Sequence, residues 1–255
     1  MSKHKFPTEI IDLPSNGKTY PTNHPLSSGT IEIKYMTARE EDILASQNLI
    51  KKGIVLDKLF ESVIVTDGVS ADDIIVGDKN AILLATRMLG YGNLYKVEVT
   101  DPFTLEKQKT TIDLAKIQVK EIDYSKLNSE NRYSFTLPKS KLNVVFKLLT
   151  HGDEKNIELE LKALEKLSAN KDIGRQEIST RLRYMILEVD GNDDRGFINE
   201  WVRNQLLSID SKALRDYIAD ISPGMDLTFN FISDITGEEE ALNIPFGVSF
   251  FYPTE

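Results

Sequence analysis

The sequence predicts an α+β fold of two related halves, each with a strand leading into helices and ending in a β-hairpin. Three observations carry this. A helical apolar stripe ends on Leu89-Gly90-Tyr91-Gly92, and strands over 94–100 and 107–114 follow around a turn at 101–106. The same order returns at Ile221-Ser222-Pro223-Gly224, followed by strands over 225–232 and 239–250 around Thr236-Gly237. In both halves a strand ends on a threonine, Thr37 or Thr150, that opens an acidic helical turn of the kind the helix dipole favours. Simple alternation of strands and helices gives the same order without any duplication, so both origins stay open here.

Residues 1–30 are rich in Pro, Ser, Asn and Gly and predict an extended N-terminal arm. Residues 31–35 alternate as a half-buried strand, and Thr37-Ala38-Arg39-Glu40 is a capping box. A helix is expected over 54–65 and stopped at Gly68. Another runs from an N-cap at Asp78 through Ala81, Ile82, Leu84, Ala85 and Met88 to Gly90. The aperiodic stretch 117–131 predicts a boundary, giving an N-terminal half over 31–116 and a C-terminal half over 132–255. The second half opens with a hairpin, 133–137 and 143–149. Helices are then expected from Thr150 to Asn170, over 175–189, from Asp194 through Phe197, Trp201 and Leu206, and over 211–221, the last capped by Asp210 and halted by Pro223.

Composition excludes several functions. At 255 residues with 40% hydrophobic and 28% charged content the chain suits a soluble globular protein. Its net charge of -9 disfavours a bare phosphate backbone and suits a partner with a basic surface. There is no cysteine, and His4, His24 and His151 are scattered, so neither a disulfide nor a thiolate metal site is expected. The sequence predicts no metal, no cofactor and no small-molecule substrate. It lacks a signal peptide's apolar stretch and any long apolar run, which predicts a protein of the cytoplasm that makes it, without membrane contact.

Candidate chemistry is sparse. Asp190-Gly191-Asn192-Asp193-Asp194 lacks the terminal glutamate of a calcium loop, because position 201 is Trp. Gly90-Tyr91-Gly92 ends a helix, whereas a phosphate-cradling loop opens one. Glu238-Glu239-Glu240 reads as solvated turn charge. A hydrolase using His151 is a conceivable reading, but no Ser, Cys or carboxylate is placed as its partner. The sequence therefore predicts no catalytic residues.

Aromatic residues point elsewhere. Phe246, Phe250, Phe251 and Tyr252 crowd the last predicted strand, where adjacent Phe250 and Phe251 would face opposite sides. Either that strand meets a partner, or the two halves of the chain cover it on both sides. Trp201 lies on a predicted helix.

Specific strings then identify a resemblance. Leu13-Pro14-Ser15-Asn16-Gly17-Lys18-Thr19-Tyr20-Pro21, Met36 to Leu44, Gly77-Asp78-Lys79-Asn80-Ala81-Ile82, Gly90-Tyr91-Gly92, Lys147 to Thr150, Asp190 to Phe197 and Val248 to Pro253 resemble the baseplate hub proteins of T4-like contractile-tailed phages. The resemblance implies a structural or chaperone-like assembly protein of the tail baseplate hub. Such a protein is made in the host cytoplasm, is carried in the virion or released after assembly, and binds other hub or tail proteins. It transfers no catalytic residues. In many relatives it implies cysteine pairs at both hairpin tips, a zinc-knuckle arrangement. Here those tips read Asp101-Pro102-Phe103-Thr104 and Ser233-Asp234-Ile235-Thr236-Gly237, so zinc does not carry over. A nucleic-acid-binding module derived from a zinc ribbon is the alternative, and the acidic charge weighs against it. Residues 1–30 are expected to dock on a neighbour, and the predicted protein-interaction residues are Leu13, Pro14, Tyr20, Pro21, Trp201, Phe250, Phe251 and Tyr252.

Overall fold

A computed structural model describes residues 6–167 and 176–251, and over these the α+β class holds. Strand β1 (Thr8–Asp12) pairs antiparallel with β2 (Thr30–Lys34), Ile10 lying opposite Glu32. From residue 8 onward the expected extended arm is thus corrected to one strand of a hairpin and a folded loop. Leu13, Tyr20 and Leu26 are buried in that loop. A segment rich in Pro and Gly can turn tightly as readily as it can extend, and these three apolar side chains give it a core to cover.

Helices α1 (Ala38–Ala45), α2 (Gln47–Lys52) and α3 (Val55–Val63) follow. The predicted capping box is present, with the Glu40 carboxylate accepting from the Thr37 backbone N–H at 2.9 Å and its hydroxyl at 2.7 Å. Helix α4 (Val76–Tyr91) starts earlier than expected, with Ile75 as its N-cap. Asp78 is therefore not a cap but a buried residue of the first turn. Gly92, with φ 79°, closes α4, and strands β3 (Leu94–Thr100) and β4 (Lys107–Asp113) form the expected hairpin.

After an irregular connection, β5 (Tyr133–Thr136) and β6 (Asn143–Phe146) lead to α5 (His151–Leu167), which buries Ile157 and Leu161. The expected end of this helix near Asn170 lies outside the described residues. The helix predicted over 175–189 is corrected at its second half. Helix α6 (Glu177–Met185) gives way to β7 (Ile186–Val189), a third strand against β6. A short apolar run satisfies either period, and here the left-handed turn at Asp190 and Gly191 ends a strand. Helix α7 (Arg195–Asn204) is capped by Asp194 as expected, its carboxylate accepting from the Phe197 N–H at 2.7 Å. Helix α8 (Ser208–Ile221) begins before Asp210, whose carboxylate turns instead to the β5–β6 loop.

Strands β8 (Thr228–Ile232) and β9 (Glu239–Asn243) form the last hairpin. The return strand expected to reach Phe250 stops at Asn243, near Pro245, and residues Val248–Phe251 form a 3-10 turn. Phe250 and Phe251 therefore do not alternate across a strand, and both are fully buried. Arg87 of α4 fixes this turn, its Nε donating to the Phe250 carbonyl at 2.8 Å.

Two main cores result. One joins Leu13, Tyr20, Ile33, Phe60, Ile82 and Tyr95 with Ile244, Phe250 and Phe251 from the end of the chain. The other gathers Tyr133, Phe146, Leu182, Trp201, Leu214 and Ile221. The expected division at residue 132 is corrected in this respect, because the chain end crosses back to complete the first core. Backbone bonds stitch the two together: Val76 N–H to the Leu149 carbonyl at 3.0 Å, His151 N–H to Ile74 at 2.8 Å, and Lys120 N–H to Gly224 at 2.9 Å.

Candidate protein-docking surface

The β3–β4 and β8–β9 hairpins lie side by side with their loops at the same end. Each loop has the same construction. In the first, Asp101 Oδ1 accepts from the N–H groups of Phe103 at 2.8 Å and Thr104 at 3.2 Å. In the second, Ser233 Oγ accepts from Ile235 at 3.3 Å and Thr236 at 3.1 Å. Both threonine hydroxyls accept from the residue two further on, Glu106 at 3.3 Å and Glu238 at 3.2 Å. Both loops end on a left-handed residue, Leu105 with φ 63° and Gly237 with φ 75°. The β5–β6 loop, with Lys141 at φ 64°, shares the pattern but borrows its acceptor: Asp210 of α8 receives the N–H groups of Lys139 at 2.7 Å and Ser140 at 3.0 Å.

The two neighbouring loops are clipped together without metal. Ser233 Oγ donates to Asp101 Oδ2 at 2.6 Å, and both side chains are buried. Burial works against the Asp101 charge, but the bonds from Ser233, Phe103 and Thr104 outweigh it and hold its pKa below the ordinary carboxylate value. Gln108 completes the clip, donating from Nε2 to the Ile232 carbonyl at 2.8 Å and accepting the Asp234 N–H at 2.9 Å. Turn chemistry thus holds the tips where the resemblance placed cysteine pairs.

What the clipped loops present is apolar. Leu105 is 78% exposed, Ile235 63% and Phe103 38%, with Ile232 beside them. A left-handed backbone costs a leucine about 1–2 kcal/mol relative to a right-handed one, and the twin loop avoids this with Gly237. The left-handed residue closes each turn, Leu105 N–H donating to the Asp101 carbonyl at 2.8 Å as Gly237 N–H does to Ser233 at 2.9 Å, so what sets these tips apart is the exposure of their apolar side chains. We expect Leu105→Gly to raise stability by ~1 kcal/mol in thermal or urea unfolding while weakening attachment to a partner. Loss of stability in this variant would show that the leucine packs within its own chain.

Most interaction residues expected from the sequence lie elsewhere. Leu13, Pro14, Tyr20, Trp201, Phe250 and Phe251 are buried inside the chain, and that expectation is corrected for them; Pro21 is exposed, and Tyr252 lies outside the described residues. These large apolar groups cover the chain's own cores. The loop residues were missed because single exposed aliphatics leave no periodic signal.

The Leu13–Pro21 motif has a structural explanation. Ser15 donates to Asp78 from its backbone N–H at 2.9 Å and its hydroxyl at 2.7 Å, and the Tyr20 hydroxyl donates to the same carboxylate at 2.7 Å. Tyr20 Oη also accepts the Ile75 N–H at 3.1 Å, tying the motif to the start of α4. Gly17 has φ 73°, and a Cβ there would lie 2.5 Å from the Ser27 carbonyl oxygen, so no other residue fits without moving backbone.

His151, the first residue of α5, is buried against α3, edge-on to Phe60 with ring centroids 5.0 Å apart. Burial, aided by Lys79 and Lys155, lowers its pKa to about 4, so the ring is neutral near neutral pH. No Ser or Thr hydroxyl among the described residues is hydrogen-bonded to it. Among the described residues, no helix is long and apolar enough to cross a membrane.

A family model described as T4 bacteriophage base plate protein matches residues 7–180, about two thirds of the chain. No curated protein and no solved structure matches it.

Proposed function

We propose that this chain, which belongs to the T4 bacteriophage base plate protein family, serves as a structural or assembly protein of the baseplate hub through contacts made by its clipped hairpin tips. Baseplate proteins work by contacting one another, so the family directs attention to surfaces rather than to reaction centres. The observation that carries the docking reading is the exposed Phe103–Leu105–Ile235 patch on a mount clipped by three hydrogen bonds between the hairpins. A rigid mount lets apolar area be buried with little further loss of conformational freedom.

The β8–β9 side of the patch is acidic, with Asp234, Glu238, Glu239 and Glu240 and no Lys or Arg, whereas the β3–β4 side mixes Lys96, Lys107 and Lys109 with Glu98 and Glu106. A hub or tail protein with an apolar pocket whose rim is basic where it meets the β8–β9 side is the partner this surface suits. Assembly takes place in the host cytoplasm. The test is capture from infected-cell extract with the full chain as bait. Baseplate hub proteins should be enriched over other phage proteins; equal recovery of capsid and baseplate proteins would defeat the reading. Mass spectrometry of purified particles separates a retained subunit, present at stoichiometric level, from a released assembly factor.

A further inference from the structure

We propose that Glu61, Asp72 and His151 form a binding site for a divalent first-row transition-metal cation such as Zn2+. Their ligand atoms all lie within 4.8 Å of one another. Glu61 comes from α3, Asp72 from the 3-10 turn Ala71–Asp73, and His151 from the first residue of α5. The sequence gives no hint of this, because the three positions are far apart and an inspection of Cys and His alone finds no cluster.

The imidazole supplies the second, independent observation. His151 is fully buried, and neither ring nitrogen has a hydrogen-bond partner. The nearest carboxylate oxygen, Asp57 Oδ1, is 3.6 Å from Nε2, too far for a hydrogen bond. A neutral imidazole carries one donor and one lone pair, and leaving both unused in a buried place is costly. A cation bound by Glu61 and Asp72 gives the lone pair a partner.

A cation already sits between these carboxylates. Lys155 Nζ is 3.3 Å from Glu61 Oε1 and 2.9 Å from Asp72 Oδ1, marking a point of negative potential. Its flexible stem is partly exposed, so the ammonium can swing to solvent when a divalent ion takes its oxygens. Lys79 is engaged by Glu154 at 3.2 Å and need not move. One imidazole and two carboxylates, with the remaining position left to water, suit Zn2+ or Co2+ better than Ca2+ or Mg2+, which prefer all-oxygen shells.

The ion would clip α3 and its neighbouring turn to the start of α5, beside the backbone bond from His151 N–H to the Ile74 carbonyl. This stands apart from the docking reading, since the tips need no ion. The test uses the full chain without an affinity tag, titrated with Co2+ and then Zn2+, with visible absorption and thermal unfolding as readouts. One equivalent should bind per chain, with a rising Co2+ d–d band and a Tm that increases with ion concentration. Glu61→Gln and Asp72→Asn, at less buried positions, should each weaken binding by at least the ~10–100-fold typical of losing a residue that merely orients a ligand, and Lys155→Met should strengthen it. The absence of saturable one-to-one binding overturns the proposal. So does affinity unchanged in the Glu61→Gln, Asp72→Asn double variant, which keeps the test decisive if His151→Ala does not fold.

Discussion

Asp78→Ala is expected to lower the free energy of unfolding by about 3–5 kcal/mol, the largest effect of any single truncation considered. The Asp78 carboxylate is the common acceptor for Ser15 N–H, Ser15 Oγ and Tyr20 Oη, all three bonds being buried. Removing it strands three donors, and a buried unsatisfied group costs about 1–3 kcal/mol. Part of this is offset, because burial pushes the Asp78 pKa up and the charged form is itself disfavoured. Asp78→Asn, which keeps one acceptor oxygen, should therefore cost much less. Urea unfolding of the two variants measures this; an Asp78→Ala loss below about 1 kcal/mol would show that the motif is held by its apolar residues alone.

The same carboxylate sets a pH dependence. Its folded pKa lies above the ordinary value of 3.8, burial outweighing the bonds from Ser15 and Tyr20. The protonated form is thus favoured by folding, and its contribution is complete below 3.8 and lost as pH rises through the folded pKa. The stability of the wild-type chain relative to Asp78→Asn should fall across that window and then level off.

Gly77→Ala is the second large effect, and its sign is diagnostic. In an unobstructed helix, alanine would stabilise by about 1 kcal/mol over glycine. Here a Cβ would lie 1.9 Å from the Pro223 carbonyl oxygen and 2.7 Å from its carbonyl carbon. Backbone cannot yield as a flexible side chain can, so α4 and the Pro223–Gly224 segment must separate. The bonds from Lys120 N–H to Gly224 and from Asp226 N–H to Gln118 lie next to this contact. We expect a loss of about 3 kcal/mol or more, above the usual overpacking range of about 1–3 kcal/mol. Hydrogen exchange should accelerate over residues 224–251, whose packing on the first core depends on that seam. A stabilised variant would mean that the two cores are not pressed together at this point.

Much of the fold was legible because it obeys local rules. The capping box at Thr37, the Asp194 cap and the hairpins at β3–β4 and β5–β6 were found from residues whose chemistry is spent nearby. The misreadings fall where a distant partner decides. Asp78 and Asp210 both look like helix caps, and each instead serves backbone or hydroxyl donors more than fifty residues away. Ile186–Val189 became a strand because β6 offered an open edge. Phe250 and Phe251 folded into a 3-10 turn because Arg87 and the first core receive them.

The candidate docking surface was the least legible part. Large aromatics drew attention, and they proved to be core. Leu105, Ile235 and Phe103 are ordinary residues in turn-like strings, and only the folded chain shows that the loops are alike and that the side chains of Asp101 and Ser233 bind each other. The turn residues supply the rigidity, and the side chains between them supply the apolar area.

The most direct test of the account is attachment of the full chain carrying Leu105→Ser and Ile235→Ser to the hub proteins recovered with the wild type. Both side chains are exposed, so unfolding stability should stay within about 0.5 kcal/mol of wild type or improve. Loss of co-purification with an unchanged circular dichroism spectrum is the predicted result. Undiminished binding by this variant would contradict the claim that the clipped hairpin tips are where the protein meets its baseplate partners.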